Sequence, residues 1–263
     1  MKYNDSKKNL DLPNNTQYLK LAWDTFYLQI FDYKKESQDI DVWIKGNDYR
    51  VKNILDLGCG AGRHLIELSK LGYKCVGIDK DRAILNYANR LAKSENTNIK
   101  FISSDILKNP SSAPRNRFDL VIGMHLSFPI VNLRKVINYI RKTFSPSGPN
   151  LLIFGFLIGD TNLLEKVATS IDTAVLEKLF LVRLNKMELK EERNEYRWKE
   201  TYIIKSINRK INIEKINYRS LWFISYDEFQ KIVKNNIIVD QIHKEPTGIK
   251  GLKGISVYGK FKT

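Results

Sequence analysis

Cysteine and histidine are scarce in this chain of 263 residues, which has two cysteines, Cys59 and Cys75, and three histidines, His64, His125 and His243. Two cysteines exclude a disulfide framework and an all-cysteine metal cage. The histidines are widely spaced along the chain, so no zinc site or other metal is expected. Long apolar runs are missing too. None approaches the roughly 18 consecutive apolar residues of a membrane span, and the longest, 151–158, is strand-sized. The first residues are polar and hold no apolar core of signal-peptide type. The expectation is a soluble, cytoplasmic protein with no membrane partner.

Acidic residues are in the minority. Forty-four Lys and Arg against 29 Asp and Glu give a formal net charge of +15. Such a charge invites a nucleic-acid reading. However, the basic residues are spread through Lys-, Ile- and Asn-rich segments of the whole chain, as a compositional bias would spread them. Residues 186–215 mix both signs and read as a solvated face.

Residues 1–16 are rich in Asn, Asp, Lys and Ser and read as a loose tail. Residues 17–46 set aromatics among charges and predict two short helices. From residue 52 strands and helices alternate, with strands at 53–57, 74–78, 99–103, 118–123 and 151–156. The helices between them are expected at 62–71, at 81–93 and along the stripe Leu133, Val136, Ile137, Ile140 and Phe144. A Pro/Ser-rich loop is expected at 109–114. This order indicates βαβ units and a parallel sheet. After residue 160 the pattern changes. Residues 161–180 predict a helix with Leu164, Val167, Ala168, Ile171, Val175 and Leu179 inward. Residues 182–190, 195–206 and 211–222 alternate apolar with polar, as antiparallel strands with one wet face do. A helix over 225–235 opens on a Ser225/Glu228 capping box, and strands follow at 237–242 and 255–261.

The chemistry is carried by Ile54-Leu55-Asp56-Leu57-Gly58-Cys59-Gly60-Ala61-Gly62-Arg63-His64. A glycine-rich turn after a strand could serve a dinucleotide. The spacing here is G-x-G-x-G, and Asp56 stands two residues before the first glycine. A carboxylate there would repel a pyrophosphate and suit a ligand with an amino group.

The segment resembles motif I of the class I S-adenosylmethionine-dependent methyltransferases. Three further stations follow in order: Val76-Gly77-Ile78-Asp79, Ser104-Asp105-Ile106 and Phe118-Asp119-Leu120-Val121-Ile122-Gly123-Met124. The resemblance covers roughly residues 50–157 and implies a Rossmann-like, doubly wound, seven-stranded, mostly parallel α/β sheet. It implies S-adenosylmethionine as cofactor, bound by Asp56, Gly58, Cys59, Gly60, Gly62, Asp79, Lys80, Asp105, Ile106 and Met124. Asp79 would hold the ribose hydroxyls. Asp105 would meet the adenine amine, Ile106 would pack on the ring, and Met124 would face the methyl group.

The implied organisation is an N-terminal tail with lid helices (1–46), a core (47–160 and 225–263) and a substrate insert (161–224) of one helix and antiparallel strands forming a lid. An insert in this position resembles that of small-molecule methyltransferases, and Thr247–Gly254 faintly resembles sugar-amine N-methyltransferases. The expected activity is methyl transfer to a small-molecule amine or hydroxyl. Candidate catalytic residues are His125, Tyr27 and Tyr33, and candidate substrate residues are Trp198, Tyr202, Tyr218 and Trp222. An RNA or protein methyltransferase using the basic surface is the rival. It is disfavoured because no Asn/Asp-Pro-Pro-Tyr/Phe follows the fourth strand and no Pro-Cys pair is present.

Overall fold

The structure is a computed structural model. It describes residues 14–109, 114, 117–125, 132–176, 179–206, 212–245, 247 and 249–262. Most of the expected 109–114 loop, and the residues directly after His125, lie outside the described residues.

Two helices open the described chain, α1 at Asn15–Leu28 and α2 at Tyr33–Gly46. Each starts on a side-chain cap: Asn14 accepts from the backbone N–H of Gln17, and Asp32 from that of Lys35. The core then alternates β1 (Asn53–Leu57), α3 (Arg63–Lys70), β2 (Lys74–Asp79), α4 (Arg82–Ser94), β3 (Lys100–Ser103), β4 (Leu120–Gly123), α5 (Leu133–Thr143) and β5 (Leu151–Ile158). Four antiparallel strands follow: β6 (Val167–Leu176), β7 (Leu179–Lys190), β8 (Glu195–Ser206) and β9 (Asn212–Trp222). The chain closes with α6 (Tyr226–Asn236), β10 (Ile237–Glu245) and β11 (Lys253–Phe261). The Ser225/Glu228 capping box is present at the start of α6.

The large sheet has the order β10-β11-β5-β4-β1-β2-β3. β1 to β5 run parallel, and β11 is antiparallel to both β5 and β10. This is the expected seven-stranded, mostly parallel, Rossmann-like sheet. Its central strands are mostly apolar, Asp56 of β1 being an exception, because helices cover both faces. One cluster packs α2, α3 and α4 on one side, and another packs α5 and α6 on the other. The chain leaves β1 toward β2 and β3, then returns to β4 on the opposite side of β1. The carboxyl ends of β1 and β4 therefore flank the switch point, where a doubly wound sheet binds its ligand.

Residues 161–180 do not form the expected helix. Residues 167–176 are strand β6, paired with β7 from Val167↔Glu188 to Leu176↔Leu179. The apolar spacing fits a helical stripe, but Val167, Thr169, Ile171, Thr173 and Val175 place a β-branched residue at every second position. Such side chains lose rotamer freedom in a helix and suit a pleated surface. The three expected strands of the insert correspond to β7, β8 and β9.

The insert sheet turns one face to α1. Tyr18, Ala22 and Phe26, four residues apart on the helix, pack with Leu181, Tyr202, Ile204 and Ile213. Its other end is tied to β5 by Leu164, Phe223 and Leu252, which cluster with Leu157.

Candidate active site

The glycine turn after β1 holds Gly58, Gly60 and Gly62 at φ of 71°, 53° and 72°. A side chain at Gly62 would stand 2.7 Å from the ring of Phe101, and one at Gly60 would stand 3.1 Å from Trp23. Strain and crowding thus both require glycine there. The backbone N–H groups of Gly58 and Cys59 donate to the carbonyl of Ile78 at 2.8 and 3.0 Å, which pins the turn to β2.

Asp56 is buried on β1. Burial first, and then the neighbouring charge of Asp79, push its carboxyl well above the usual carboxylate range. Among the described residues it forms no salt bridge. Asp79, at the end of β2, accepts from the backbone N–H groups of Gly60 and Asp81 at 3.0 and 2.9 Å. Burial also raises its carboxyl, against those two hydrogen bonds. A buried and a half-buried acid facing one glycine turn suit a ligand that brings a cation and hydroxyl groups. Cys59 is buried and its thiol is pushed well up, mainly by burial and then by Asp56, so it fills space as a thiol. Lys80 is exposed. Asp105 closes its own turn, with Oδ1 accepting from the backbone N–H groups of Leu107 and Lys108 at 3.0 and 3.3 Å. Ile106 packs at the edge of the core cluster that includes Val121 and Phe154.

Met124 is buried just past the end of β4, and His125 follows with φ +55°. That left-handed backbone costs a non-glycine residue roughly 1–2 kcal/mol. Its surroundings hold it: a side chain on Gly155 of β5 would stand 3.1 Å from the His125 nitrogen. The His125 ring stacks on Phe31 at 3.8 Å. Tyr33 sets its ring edge-on to His64 at 4.8 Å and to His125 at 6.3 Å. Glu36 Oε2 lies 2.6 Å from His64 Nε2 and 3.3 Å from His125 Nε2.

An aromatic file links this cluster to the glycine turn. Trp23 lies over Gly60 and stacks on Tyr27 at 4.3 Å, and Tyr27 contacts Phe31 at 5.9 Å. The Tyr27 hydroxyl accepts from Arg219 on β9 at 3.0 Å. Arg219 in turn bonds the buried Glu200 and lies 4.4 Å above the Trp198 ring. The cation over that aromatic wall is thus supplied by the protein itself.

Tyr27, Tyr33, His125 and Trp198 come together in this arrangement. Tyr202 is fully buried against Phe26 and donates to Glu200 at 3.0 Å, so it builds the insert's packing. Tyr218 and Trp222 leave the substrate set. Strand alternation puts them on the face opposite Arg219, and Tyr218 is 76% exposed. Sequence reading missed Glu36, Phe31, Arg219 and Glu200, and gave His64 no role in the site. The alternation of β8 and β9 already put Trp198 and Glu200 on one face. Nothing in the sequence joined Glu36 to either histidine.

A cavity of about 560 Å³ lies elsewhere, lined in part by Lys74, Lys100 and Arg117. These residues stand at the amino ends of their strands, away from Met124.

Comparison with known proteins agrees with this geometry. A profile described as a methyltransferase domain matches residues 54–148. An uncharacterized methyltransferase, YcgJ, of Bacillus subtilis (strain 168) is 23% identical over 120 residues, covering 45% of this chain and 47% of that protein. The ribosomal protein L11 methyltransferase of Colwellia psychrerythraea is 35% identical over 98 residues, covering 36% of this chain and 31% of that protein. The chain thus spans about half or less of the curated relatives it matches. Among solved structures, DesVI of Streptomyces venezuelae superposes with a TM-score of 0.69 at 18% identity, covering 89% of this chain and 96% of that one. A S-adenosylmethionine-dependent methyltransferase of Clostridium acetobutylicum gives 0.68 at 15% identity, covering 94% and 100%. The sugar N-methyltransferase KedS8 of Streptoalloteichus gives 0.64 at 16%, covering 90% and 92%. The chain thus has a Rossmann-like fold like that of solved S-adenosylmethionine-dependent methyltransferases, and over residues 54–148 it is similar to a methyltransferase domain.

Proposed function

We propose that this protein transfers a methyl group from S-adenosylmethionine to a small-molecule acceptor, an amine or a hydroxyl. The cofactor, when bound, supplies an electrophilic methyl on a sulfonium. Asp79 would accept from the ribose hydroxyls, and Asp56 would lie toward the amino group of the methionine part. Asp105 would accept from the adenine amine through its remaining carboxylate capacity, with Ile106 on the ring. Met124 would border the methyl position. The chain's own work is then to align the acceptor and exclude water. His125 is the group we assign to take the acceptor's proton, with Tyr27 and Tyr33 shaping the space and Trp198 and Arg219 forming its far wall.

The observation that carries this reading is the bond from Arg219 to Tyr27. It joins the insert to α1 beside the glycine turn, and this encloses the methyl site as a small acceptor needs. One of the three superposed proteins favours it as well, being described as a sugar N-methyltransferase. The test is a methyl-transfer screen with labelled cofactor against amino sugars, other small amines, phenols, carboxylates and bulk RNA. Label entering small amines or hydroxyl compounds is the expected result. Label entering RNA alone would give first place to a macromolecular substrate.

A further inference from the structure

Glu36 sits in the first turn of α2, and its Oε2 faces Nε2 of both His64 and His125. The side chains are 18%, 7% and 15% exposed, so water competes little for these contacts. Burial pushes the Glu36 carboxyl up, but hydrogen bonds from His125 and His64 outweigh it and bring it down to about 2. The carboxylate is therefore ionised wherever a histidine titrates, and an ionised carboxylate only accepts hydrogen bonds. Whichever ring nitrogen faces it must carry a proton. A neutral imidazole carries one, so its other nitrogen is then a bare base.

We infer that Glu36 is a positioning residue that holds His125 in the Nε2–H form, leaving Nδ1 as the atom that takes the acceptor's proton, while His64 fixes Glu36 from the other side. The inference rests on the methyl-transfer reading of the site. In that reaction the acceptor nitrogen bonds the methyl carbon through its lone pair, and the carbon–sulfur pair leaves with sulfur. The N–H proton then passes to Nδ1, and its bonding pair stays on nitrogen. The imidazolium formed lies against the Glu36 carboxylate. The rings are held from more than one direction: Phe31 stacks on His125, and Tyr33 stands edge-on to both histidines.

The same three side chains bring their ligand atoms within 4.8 Å of one another, as a metal site would. Two ligands on one ion, each at roughly 2.0–2.1 Å, stand roughly 3.3 Å apart in a tetrahedral site. The 2.6 Å between Glu36 and His64 is too short for two ligands of one ion and is a hydrogen-bond distance, while the 3.3 Å to His125 is met by either arrangement.

The test is a long-range proton–nitrogen correlation spectrum of the full chain labelled on histidine, with turnover measured on the same samples. Both His64 and His125 should show the Nε2–H pattern in the wild type. Glu36→Gln should lose it at His125 and lower kcat roughly 10- to 100-fold, a part of the roughly 10²–10⁴ that a positioned base supplies. KM and cofactor affinity should hardly move, and Glu36→Asp should recover part of the loss. An Nδ1–H pattern at His125 in the wild type would overturn the inference, as would Glu36→Gln with unchanged tautomer and kcat. So would saturable Zn²⁺ binding that shifts both imidazoles and vanishes in Glu36→Gln, since that marks a metal site. If no acceptor is methylated, the methyl-transfer reading fails separately, and the wild-type tautomer still decides the role of Glu36.

Discussion

The phenol oxygen of Tyr27 accepts a hydrogen bond from Nη2 of Arg219 at 3.0 Å, across 192 residues of chain. It joins the last turn of α1 to the insert sheet at the edge of the proposed methyl site. A hydrogen bond from a charged donor contributes about 1.5–3 kcal/mol. Tyr27→Phe should therefore speed hydrogen exchange of the α1 amides by roughly 10-fold or more, while the amides of β1 and β4 keep their protection. Mass-spectrometric exchange reads this directly, and equal change in both regions would mean a global effect.

A second tie holds α1 to the core. Arg63, the first residue of α3, donates from Nε and Nη2 to Asp24 at 3.1 and 2.6 Å, and the Tyr87 hydroxyl donates to the same carboxylate at 3.0 Å. Asp24 is 1% and Arg63 14% exposed at the side chain. Asp24→Ala removes the buried carboxylate that Arg63, at the positive end of α3, and Tyr87 share. Removing one member of such a pair costs about 3–5 kcal/mol. Urea unfolding should show a stability loss of that size, as a lower midpoint with little change in slope.

Asp79→Ala should weaken S-adenosylmethionine binding at least roughly 10-fold with the fold intact, since it removes two hydrogen bonds, each about 1.5–3 kcal/mol where one partner is charged. Calorimetry on the folded variant checks it. An unchanged affinity would take the ribose role away from this residue.

Glu36 makes stability depend on acid. Its carboxyl is lowered from 4.5 to about 2 in the folded protein. A depressed carboxyl stabilises the fold above its unfolded value and loses that contribution as pH falls. The contribution should be complete above about pH 4.5 and fade between about 4.5 and 2, with a full size of about 3 kcal/mol. The stability gap between wild type and Glu36→Gln should therefore narrow as unfolding is measured at successively lower pH through that window.

The parts of this molecule that were legible in sequence are those set by short spacing. Asp56, the three glycines and Asp79 lie within one strand–turn–helix–strand unit, and the period of each element places them. The capping box of α6 is a four-residue signal and forms as read. The cluster of Glu36, His64 and His125 was not legible. Its members are 28 and 89 residues from Glu36, and only the docking of α2 on α3 and the turn past β4 brings them together. Residues 167–176 failed for another reason. Their apolar positions satisfy both periods, and the partner strand β7, which decides between them, is downstream. Tyr218 and Trp198 look alike as aromatics in strands. Register separates them, because Trp198 pairs with Arg219 and its neighbour Tyr218 must then face away.

The contact between Tyr27 and Arg219 also sets a timetable during synthesis. Phe26, which packs on Leu181, Tyr202 and Ile204, lies in the same helix, so this face of α1 has no docking surface until the insert strands have been made. At roughly 5–20 residues per second, translation from Tyr27 to Arg219 takes roughly 10–40 s. Through that interval the Phe26 face of α1 stays uncovered, while Asp24 and Trp23 of the same helix can already meet Arg63 and Gly60, and the sheet from β1 to β5 can assemble. The newborn protein thus has its glycine turn well before it has the insert strands that face Tyr27 and Phe26.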